Sequence, residues 1–403
     1  MKLTNRIIFP DEVVKIASVL AEKGYKVYAV GGCVRDSVMG RVPSDWDMTT
    51  DARPEDMLDI FKAAGLHTIP TGLKHGTVTV MIDKKPFEIT TFRIDGEYTD
   101  SRRPDSVTFS SDISEDLKRR DFTVNAMAAD PLSPCGEIVD LFGGLCDIEN
   151  KIIRCVGDPF ERFSEDALRI LRAVRFSSVL GFEIDGETLI ASARLSHKLA
   201  DISAERKAVE LEKILLSANA DKGFMTLCEI DAAKYIHRHF HAPCVPLSSL
   251  SKNFSSRLAA LIEGNERISL AEMKLSNEVT RRAVLLADRA FYNDTCHFFG
   301  EDIGANARYM ISKYKNDAEA AAILRRDDDI LSAIDRERAK GGFPTEIREL
   351  KIDGNMLMEA KIPQRRLGEI LSKLLLAAIK EPSVNTREAL TDMAREIAAK
   401  EDK

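Results

Sequence analysis

The chain has 403 residues, of which 44% are hydrophobic and 31% charged, and its formal net charge is −7. No apolar run approaches the roughly 20 residues that span a bilayer, so we expect a globular protein with more than one domain and no membrane insertion. Avid nonspecific nucleic-acid binders are usually basic, so any RNA site here must be a local basic surface on an acidic protein.

The N-terminal third alternates strand-like and helix-like segments. The first 20 residues mix charges into apolar positions, as an amphipathic helix does and a signal peptide does not. The seven cysteines include no Cys-x-x-Cys pair, which together with the N-terminus favours a cytoplasmic location. Alternating and β-branched residues predict strands, and apolar periodicity predicts helices between them. The strands are expected at Lys26–Val30, Thr77–Ile82 and Phe87–Phe92, and the helices at Asp11–Lys23 and Pro54–Ala64.

Beyond about residue 150 the strand pattern nearly vanishes and helical periodicity dominates. An Asp-Gly turn within Leu350–Leu357 is expected to lead into a further helix. The sequence therefore predicts an α+β head followed by an all-helical remainder. The longer helices are expected at Asp158–Leu180, Ala204–Leu216, Ser255–Leu261 and Leu367–Ile379.

A glycine pair follows the first predicted strand, in the sequence Gly31-Gly32-Cys33-Val34-Arg35-Asp36. Two glycines let the backbone approach a bulky ligand, and a helix N-terminus favours phosphate. The planar guanidinium of Arg35 could then bind phosphate oxygens in a fork. The alternative is an ordinary glycine turn in which Arg35 and Asp36 form a surface ion pair.

Two aspartates flank a tryptophan in Ser44-Asp45-Trp46-Asp47. If Asp45 to Thr49 forms a strand, alternation places Asp45 and Asp47 on one face, about 7 Å apart along it. Carboxylate oxygens at such spacing suit Mg²⁺. An isolated Asp-x-Asp is commonly a turn or a surface feature, but here it follows the glycine motif within a region of strands.

Glu88 is a carboxylate within the otherwise apolar strand Phe87–Phe92. Such a residue is expected to face a cation or a polar cleft, and a third acid would complete a two-metal phosphoryl-transfer site. The alternative is a glutamate on an edge strand that faces water.

The segment Glu161–Phe176 combines an apolar stripe with regularly spaced charges. Placed on one continuous helix, its apolar stripe comprises Phe163, Ala167, Ile170, Leu171 and Val174. Asp166 and Arg169 are then i,i+3 neighbours that can point together, while Arg172 and Arg175 turn progressively away. The alternative is a salt-bridged face exposed to solvent.

Taken together, these motifs resemble the class II tRNA nucleotidyltransferase and poly(A) polymerase family, and specifically its short bacterial CCA-adding members. The resemblance rests on GGCVRD, DWD, EITTFR, RRDFTVNAMA, DLFGG and ERFSEDALRILRAVRF, in that order, and continues in KIDGNMLMEAKIPQRRLGEIL. It implies a polymerase-β-like nucleotidyltransferase head at residues 1–150, a helical neck at 151–217, a helical body at 218–335 and a helical, tRNA-binding tail at 336–403. Ala360-Lys361-Ile362 departs from the pattern, because the family often has a glycine after this helix.

The resemblance also implies roles for individual residues. Asp45 and Asp47 match the metal ligands, with Mg²⁺ as the cofactor. Glu88 is assigned to the same catalytic site from its position in the strand and not from the resemblance. Gly32, Arg35 and Arg120 match nucleotide contacts, whereas Asp166, Arg169, Arg172 and Arg175 match residues that read the incoming nucleotide. An acceptor on Asp166 beside a donor on Arg169 fits cytosine and adenine, whose edges carry an amine donor beside a ring-nitrogen acceptor.

The implied reaction is template-independent addition and repair of the tRNA 3′-terminal CCA from CTP and ATP. Arg93–Phe109 is expected to be a loop that lets one pocket serve both bases. An A-adding nucleotidyltransferase or a poly(A) polymerase of the same family remains open, as does a different class, a catalytically silent tRNA-binding protein that keeps the fold. The expected partners are the tRNA 3′ end, CTP and ATP; no membrane is expected, and a homodimer is left open.

Overall fold

A computed structural model describes residues 6–73, 76–96, 107–134, 136–262 and 270–400. The chain divides into two compact units, Met1–Arg238 and His239–Lys403. The predicted four-part division at residues 150, 217 and 335 is finer than this and stays a prediction. In the part of the chain that the structure describes, no helix is both long enough and apolar enough to cross a bilayer.

The first unit begins with a mixed α/β head and continues as helices. Its strands are β1 (Val27–Val30), β2 (Met48–Thr50), β3 (His67–Gly72), β4 (Thr77–Ile82), β5 (Lys85–Thr91), β6 (Arg93–Asp95), β7 (Val107–Phe109), β8 (Met127–Ala129), β9 (Ile138–Asp140), β10 (Ile152–Ile153) and β11 (Glu183–Ile184). Its helices are α1 (Asp11–Ala21), α2 (Gly32–Val38), α3 (Pro54–Ala63), α4 (Ile113–Lys118), α5 (Gly144–Asn150), α6 (Pro159–Glu165), α7 (Leu168–Leu180), α8 (Gly186–Leu195), α9 (Ala204–Leu215), α10 (Ala220–Glu229) and α11 (Ala233–Ile236).

Seven strands of the head form one sheet in the order β3-β4-β5-β2-β1-β8-β9. The pair β2–β5 is parallel, and the other neighbours are antiparallel. One face is covered by α1 and α3, whose apolar side chains pack with alternate residues of the strands, including Val78, Val80 and Ile89. The opposite face of β2 and β5 is therefore left to polar side chains.

The second unit is helical throughout its described residues. Its helices are α12 (Phe254–Ala259), α13 (Asn277–Ala287), α14 (Arg289–Cys296), α15 (Ile303–Tyr314), α16 (Ala318–Arg325), α17 (Asp328–Lys340), α18 (Gly354–Glu359), α19 (Leu367–Lys380) and α20 (Arg387–Lys400). The expected Asp-Gly turn is the start of α18, because the Asp353 side chain accepts the Met356 amide at 2.9 Å and caps the helix. The α+β head followed by helices is confirmed.

Both described ends of the predicted loop Arg93–Phe109 are strands, so the prediction of a loop is wrong there. β6 and β7 pair antiparallel, with Arg93 opposite Phe109 and Asp95 opposite Val107. Residues 97–106 lie outside the described residues. The proposed role of this loop in switching between bases therefore stays a prediction.

Candidate active site

The glycine pair forms the predicted strand–turn–helix junction. β1 ends at Val30, Gly31 adopts φ 82° and ψ −126°, and α2 begins at Gly32. Residues other than glycine rarely adopt this backbone conformation. A Cβ atom on Gly31 would also lie 3.0 Å from Nη1 of Arg120, so the turn lets Arg120 approach the backbone closely.

Asp45 and Asp47 lie immediately before β2 and not within it, because the strand begins at Met48. The expectation of a strand from Asp45 is therefore wrong, but the alternation holds. Trp46 and Met48 pack into the core beneath the sheet. Asp45 and Asp47 alternate with these two residues and therefore face the opposite side. The Val30 amide donates to the Asp47 carbonyl at 2.9 Å, which fixes this segment beside the glycine turn.

Glu88 lies beside Asp47 on the open face of the sheet. It belongs to β5, which is flanked by β4 and β2, so the alternative of an edge-strand glutamate is wrong. The parallel register aligns Met48 with Ile89, which places Glu88 next to Asp47. Phe87 and Ile89 are buried whereas Glu88 is exposed, as alternation requires.

The three carboxylates act on one another electrostatically. Solvent reaches Asp47, but desolvation by the surrounding protein and the charges of Asp45 and Glu88 raise the pKa of Asp47 to about 6, with Arg120 opposing the shift. A bound cation would reduce the electrostatic repulsion between these carboxylates.

The donor set fits a cation that keeps water or substrate in its coordination sphere. Within the described ranges, no three His, Cys, Asp or Glu side chains are arranged to hold a metal by themselves. Mg²⁺ is usually bound by one or two carboxylates together with water and phosphate oxygens, so Asp45 and Asp47 suit it without a third protein ligand.

Arg120 is positioned by a buried acid that the sequence did not single out. The carboxylate of Asp116, on α4, has no solvent exposure and accepts from Arg119 at 2.7 Å and from Arg120 at 3.1 Å. Although burial alone would raise the pKa of Asp116, the two guanidiniums lower it overall. The ion pair with Asp116 holds Arg120 beside the acidic cluster, which is formed by Asp45, Asp47 and Glu88.

Arg35 is buried and belongs to a network, so the alternative of a surface pair with Asp36 is wrong. Its Nε donates to Asp36 at 2.9 Å, and its Nη1 donates to Oδ1 of Asn125 at 2.6 Å. Asn125 in turn donates to Asp121 at 3.3 Å. Asp121 and Asn125 belong to the RRDFTVN motif, but their role here was not predicted.

The segment Glu161–Phe176 is two helices, not the single predicted helix. α6 ends at Glu165, Asp166 is extended with φ −143° and ψ 101°, and α7 begins at Leu168. Oδ1 of Asp166 accepts the Leu168 amide at 3.0 Å, which caps α7. The apolar stripe is confirmed, because Phe163, Ala167, Ile170, Leu171 and Val174 are all buried.

The break gives Asp166 and Arg169 separate hydrogen-bond partners, so the continuous-helix geometry behind their predicted i,i+3 pairing is wrong, while their joint role at the nucleotide stays a prediction. Oδ2 of Asp166 accepts from Nη2 of Arg206, on α9, at 2.7 Å. Arg169 donates to Oε2 of Glu165 at 2.5 Å and to the Arg162 carbonyl at 3.0 Å. The sequence could not predict Arg206 as the partner of Asp166, because the two residues are 40 positions apart in the chain.

Arg172 and Arg175 are paired inside the first unit, so the solvent-exposed alternative for this face is also wrong. Arg172 donates from Nε to Oδ2 of Asp121 at 2.7 Å. Arg175 lies 3.1 Å from Oε2 of Glu210, which is itself buried. The pairing of Glu210, on α9, with Arg175 was not predicted, because only the fold brings these two helices together.

A cavity of about 920 Å³ in the second unit contains none of the predicted site residues. Its lining includes Arg289, Tyr292, His297 and Asp327. Because the acidic cluster and the paired arginines all belong to the first unit, we place the chemistry there.

Comparison with known proteins agrees with this placement. Residues 27–154 match a family described as the Poly A polymerase head domain, and residues 181–243 match one described as the probable RNA and SrmB-binding site of polymerase A. The chain is 32% identical to the CCA-adding enzyme of Enterococcus faecalis over all of both chains, and 35% identical to that of Lactiplantibacillus plantarum over 95% of each.

The chain belongs to the family of CCA-adding enzymes. The crystal structure of the Bacillus stearothermophilus CCA-adding enzyme in complex with CTP is similar at 31% identity and a TM-score of 0.79, covering 98% of this chain and 99% of that one. The prediction of a nucleotidyltransferase of this family is thereby confirmed. Enzymes of this family generally use divalent metal ions. The head match contains the acidic cluster, Arg35 and Arg120.

Proposed function

We propose that this chain adds and repairs the 3′-terminal CCA of tRNA, using CTP and ATP and releasing pyrophosphate without a template. The observation that carries the proposal is the cluster of Asp45, Asp47 and Glu88 beside the glycine turn and Arg120. The full-length similarity to CCA-adding enzymes supports the choice of substrates. We propose a cytoplasmic location; a homodimer stays a prediction.

Asp45 and Asp47 would hold Mg²⁺. When bound, Mg²⁺ supplies charge stabilisation at the phosphates and activates the tRNA 3′-hydroxyl for attack on the α-phosphate. Glu88 adds negative charge at the same place, which favours cation binding. Gly31 and Gly32 let the chain approach the nucleotide closely, and Arg35 and Arg120 bind phosphate oxygens. Positioning and charge stabilisation account for most of the acceleration of phosphoryl transfer.

Base selection is proposed to lie with Asp166 and Arg169, with Arg172 and Arg175 completing the nucleotide pocket. Each oxygen of Asp166 accepts one protein hydrogen bond and retains a lone pair for an exocyclic amine of cytosine or adenine. Glu165 and the carbonyls of Arg162 and Arg119 hold the guanidinium of Arg169 in a fixed orientation. Uracil and guanine reverse the donor–acceptor order and would leave buried groups unpaired.

The tail, residues 336–403, is proposed to bind tRNA. The match to an RNA-binding family lies elsewhere, at residues 181–243, and supports further RNA contacts in that segment. We infer that tRNA is held by shape and local phosphate contacts, since the overall charge is −7.

The decisive experiment incubates the protein with tRNA ending at the discriminator base and with each labelled nucleotide, separately and together. We expect two additions with CTP alone and three with CTP and ATP. A long A-tail would indicate a poly(A) polymerase, and a single A added only to tRNA ending in CC would indicate an A-adding enzyme. No addition by protein that binds tRNA would indicate a silent binding protein.

A further inference from the structure

Phe176, near the middle of α7, is surrounded by three arginines. The guanidinium carbons of Arg35, Arg172 and Arg175 lie 5.4, 5.4 and 4.1 Å from the centre of its ring. Arg35 comes from α2 of the head, whereas Arg172 and Arg175 come from α7. The Phe176 side chain is half-buried.

The face of an aromatic ring attracts a cation without carrying a charge of its own. Each guanidinium also has a polar partner: Asp36 for Arg35, Asp121 for Arg172 and Glu210 for Arg175. These three carboxylates are different residues, so no single one of them contacts all three arginines. The ring is shared by all three, and so it joins the head to the neck helix.

A polar chain runs parallel to this aromatic contact. Arg35 donates to Asn125, Asn125 donates to Asp121, and Arg172 donates to Asp121. On the other side, the ring of Phe122 meets that of Phe176 nearly edge-on, with centroids 5.7 Å apart. Phe176 is therefore fixed from the head side as well as from its own helix.

We propose that Phe176 is a positioning residue for nucleotide binding. Its ring holds Arg35 against α7, which fixes the spacing between the carboxylates of the head and the residues that begin α7. The inference rests on the proposed function, because it assigns Phe176 a part in placing the nucleotide between these two groups.

The chemistry of the ring predicts which substitutions are tolerated. Leucine fills much of the same volume but offers no negative face to the guanidiniums. Glutamate would attract them but would repel the triphosphate. Tyrosine keeps the ring face, and the partial exposure of Phe176 leaves room for a hydroxyl group.

The test compares Phe176→Leu, Phe176→Tyr and the control Phe163→Leu, which alters a fully buried phenylalanine of α6. We measure kcat and KM for CTP and ATP addition to tRNA, together with the melting temperature. Phe176→Leu is expected to raise KM for both nucleotides about tenfold, as the loss of partly desolvated cation–π contacts would. Phe176→Tyr should stay within about twofold of the parent, whereas Phe163→Leu should lower the melting temperature and leave KM unchanged.

An unchanged KM in Phe176→Leu, or an equal rise in Phe176→Tyr, would overturn the inference. If the parent protein adds no nucleotide at all, the proposed function fails instead, and calorimetric binding of CTP then decides the inference. A tenfold weaker affinity in Phe176→Leu supports it, and equal affinity or no binding by the parent contradicts it.

Discussion

Arg172 of the neck helix donates two hydrogen bonds, from Nε and Nη2, to the same oxygen of Asp121 in the head. Asp121 lies in the RRDFT motif, 51 residues earlier in the chain. Its other oxygen accepts the Phe122 amide at 2.9 Å. One buried carboxylate therefore connects the nucleotide-binding head to the helix that carries the proposed selecting arginines.

We expect Asp121→Asn to lower the free energy of unfolding by about 3 kcal/mol, because it leaves the guanidinium of Arg172 without a compensating charge. Although burial alone would raise the pKa of Asp121, the ion pair with Arg172 lowers it overall. Stability from the pair is thus complete well above pH 4 and is lost as the pH falls through the depressed pKa of the folded state. We measure the free energy of unfolding with denaturant between pH 3 and about pH 7, and expect it to fall less steeply with decreasing pH in the variant than in the parent.

The control is Asp392→Asn, which removes an exposed ion pair with Arg395 and should change the free energy of unfolding by less than about 0.5 kcal/mol.

The acidic cluster should be essential for catalysis and dispensable for folding. Asp45→Asn or Asp47→Asn is expected to reduce nucleotide addition by several orders of magnitude, because it removes a proposed metal ligand, while tRNA binding persists. Rates are measured under single-turnover conditions, and Asp83→Asn, at the exposed β4–β5 turn, serves as the control. A variant that retained a tenth of the parental rate would exclude the metal-binding role.

Nucleotide choice should depend on Asp166 and on the arginine that holds it. Asp166→Ala is expected to let UTP and GTP compete with CTP and ATP, because the acceptor that rejects them is gone. Arg206→Met should weaken the same discrimination by freeing Asp166 from its 2.7 Å contact. Misincorporation is measured with each nucleotide in turn, and an equal loss of rate for all four nucleotides would contradict the readout.

The glycine turn offers a test that separates backbone strain from crowding. Gly31 and Gly24 both have positive φ, at 82° and 86°, but only a Cβ on Gly31 approaches another side chain, Arg120, whereas Gly24 has nothing within 4 Å. Each alanine variant should lose about 1 kcal/mol of stability. Gly31→Ala alone should also raise KM for CTP, because Arg120 must move. Equal KM values for the two variants would show that the turn does not place Arg120.

The sequence alone determined the local structure wherever a periodic pattern matched a single element. The strand before Gly31, the alternation that turns Asp45 and Asp47 away from the core, and the buried stripe from Phe163 to Val174 all follow from side-chain spacing along one segment. The order of the motifs was sufficient to identify the family, since each motif combines residue types that its local chemistry requires.

Tertiary structure alone decided which charges meet. The helix break at Asp166 gives its carboxylate a partner on another helix, Arg206. Asp121 and Glu210 likewise pair with arginines that are far from them in the sequence, Arg172 and Arg175. Periodicity reports which face of an element is apolar, whereas a buried charge must be compensated by whatever the fold brings within about 3 Å of it. That partner can come from any distance along the chain, so only the folded arrangement specifies it.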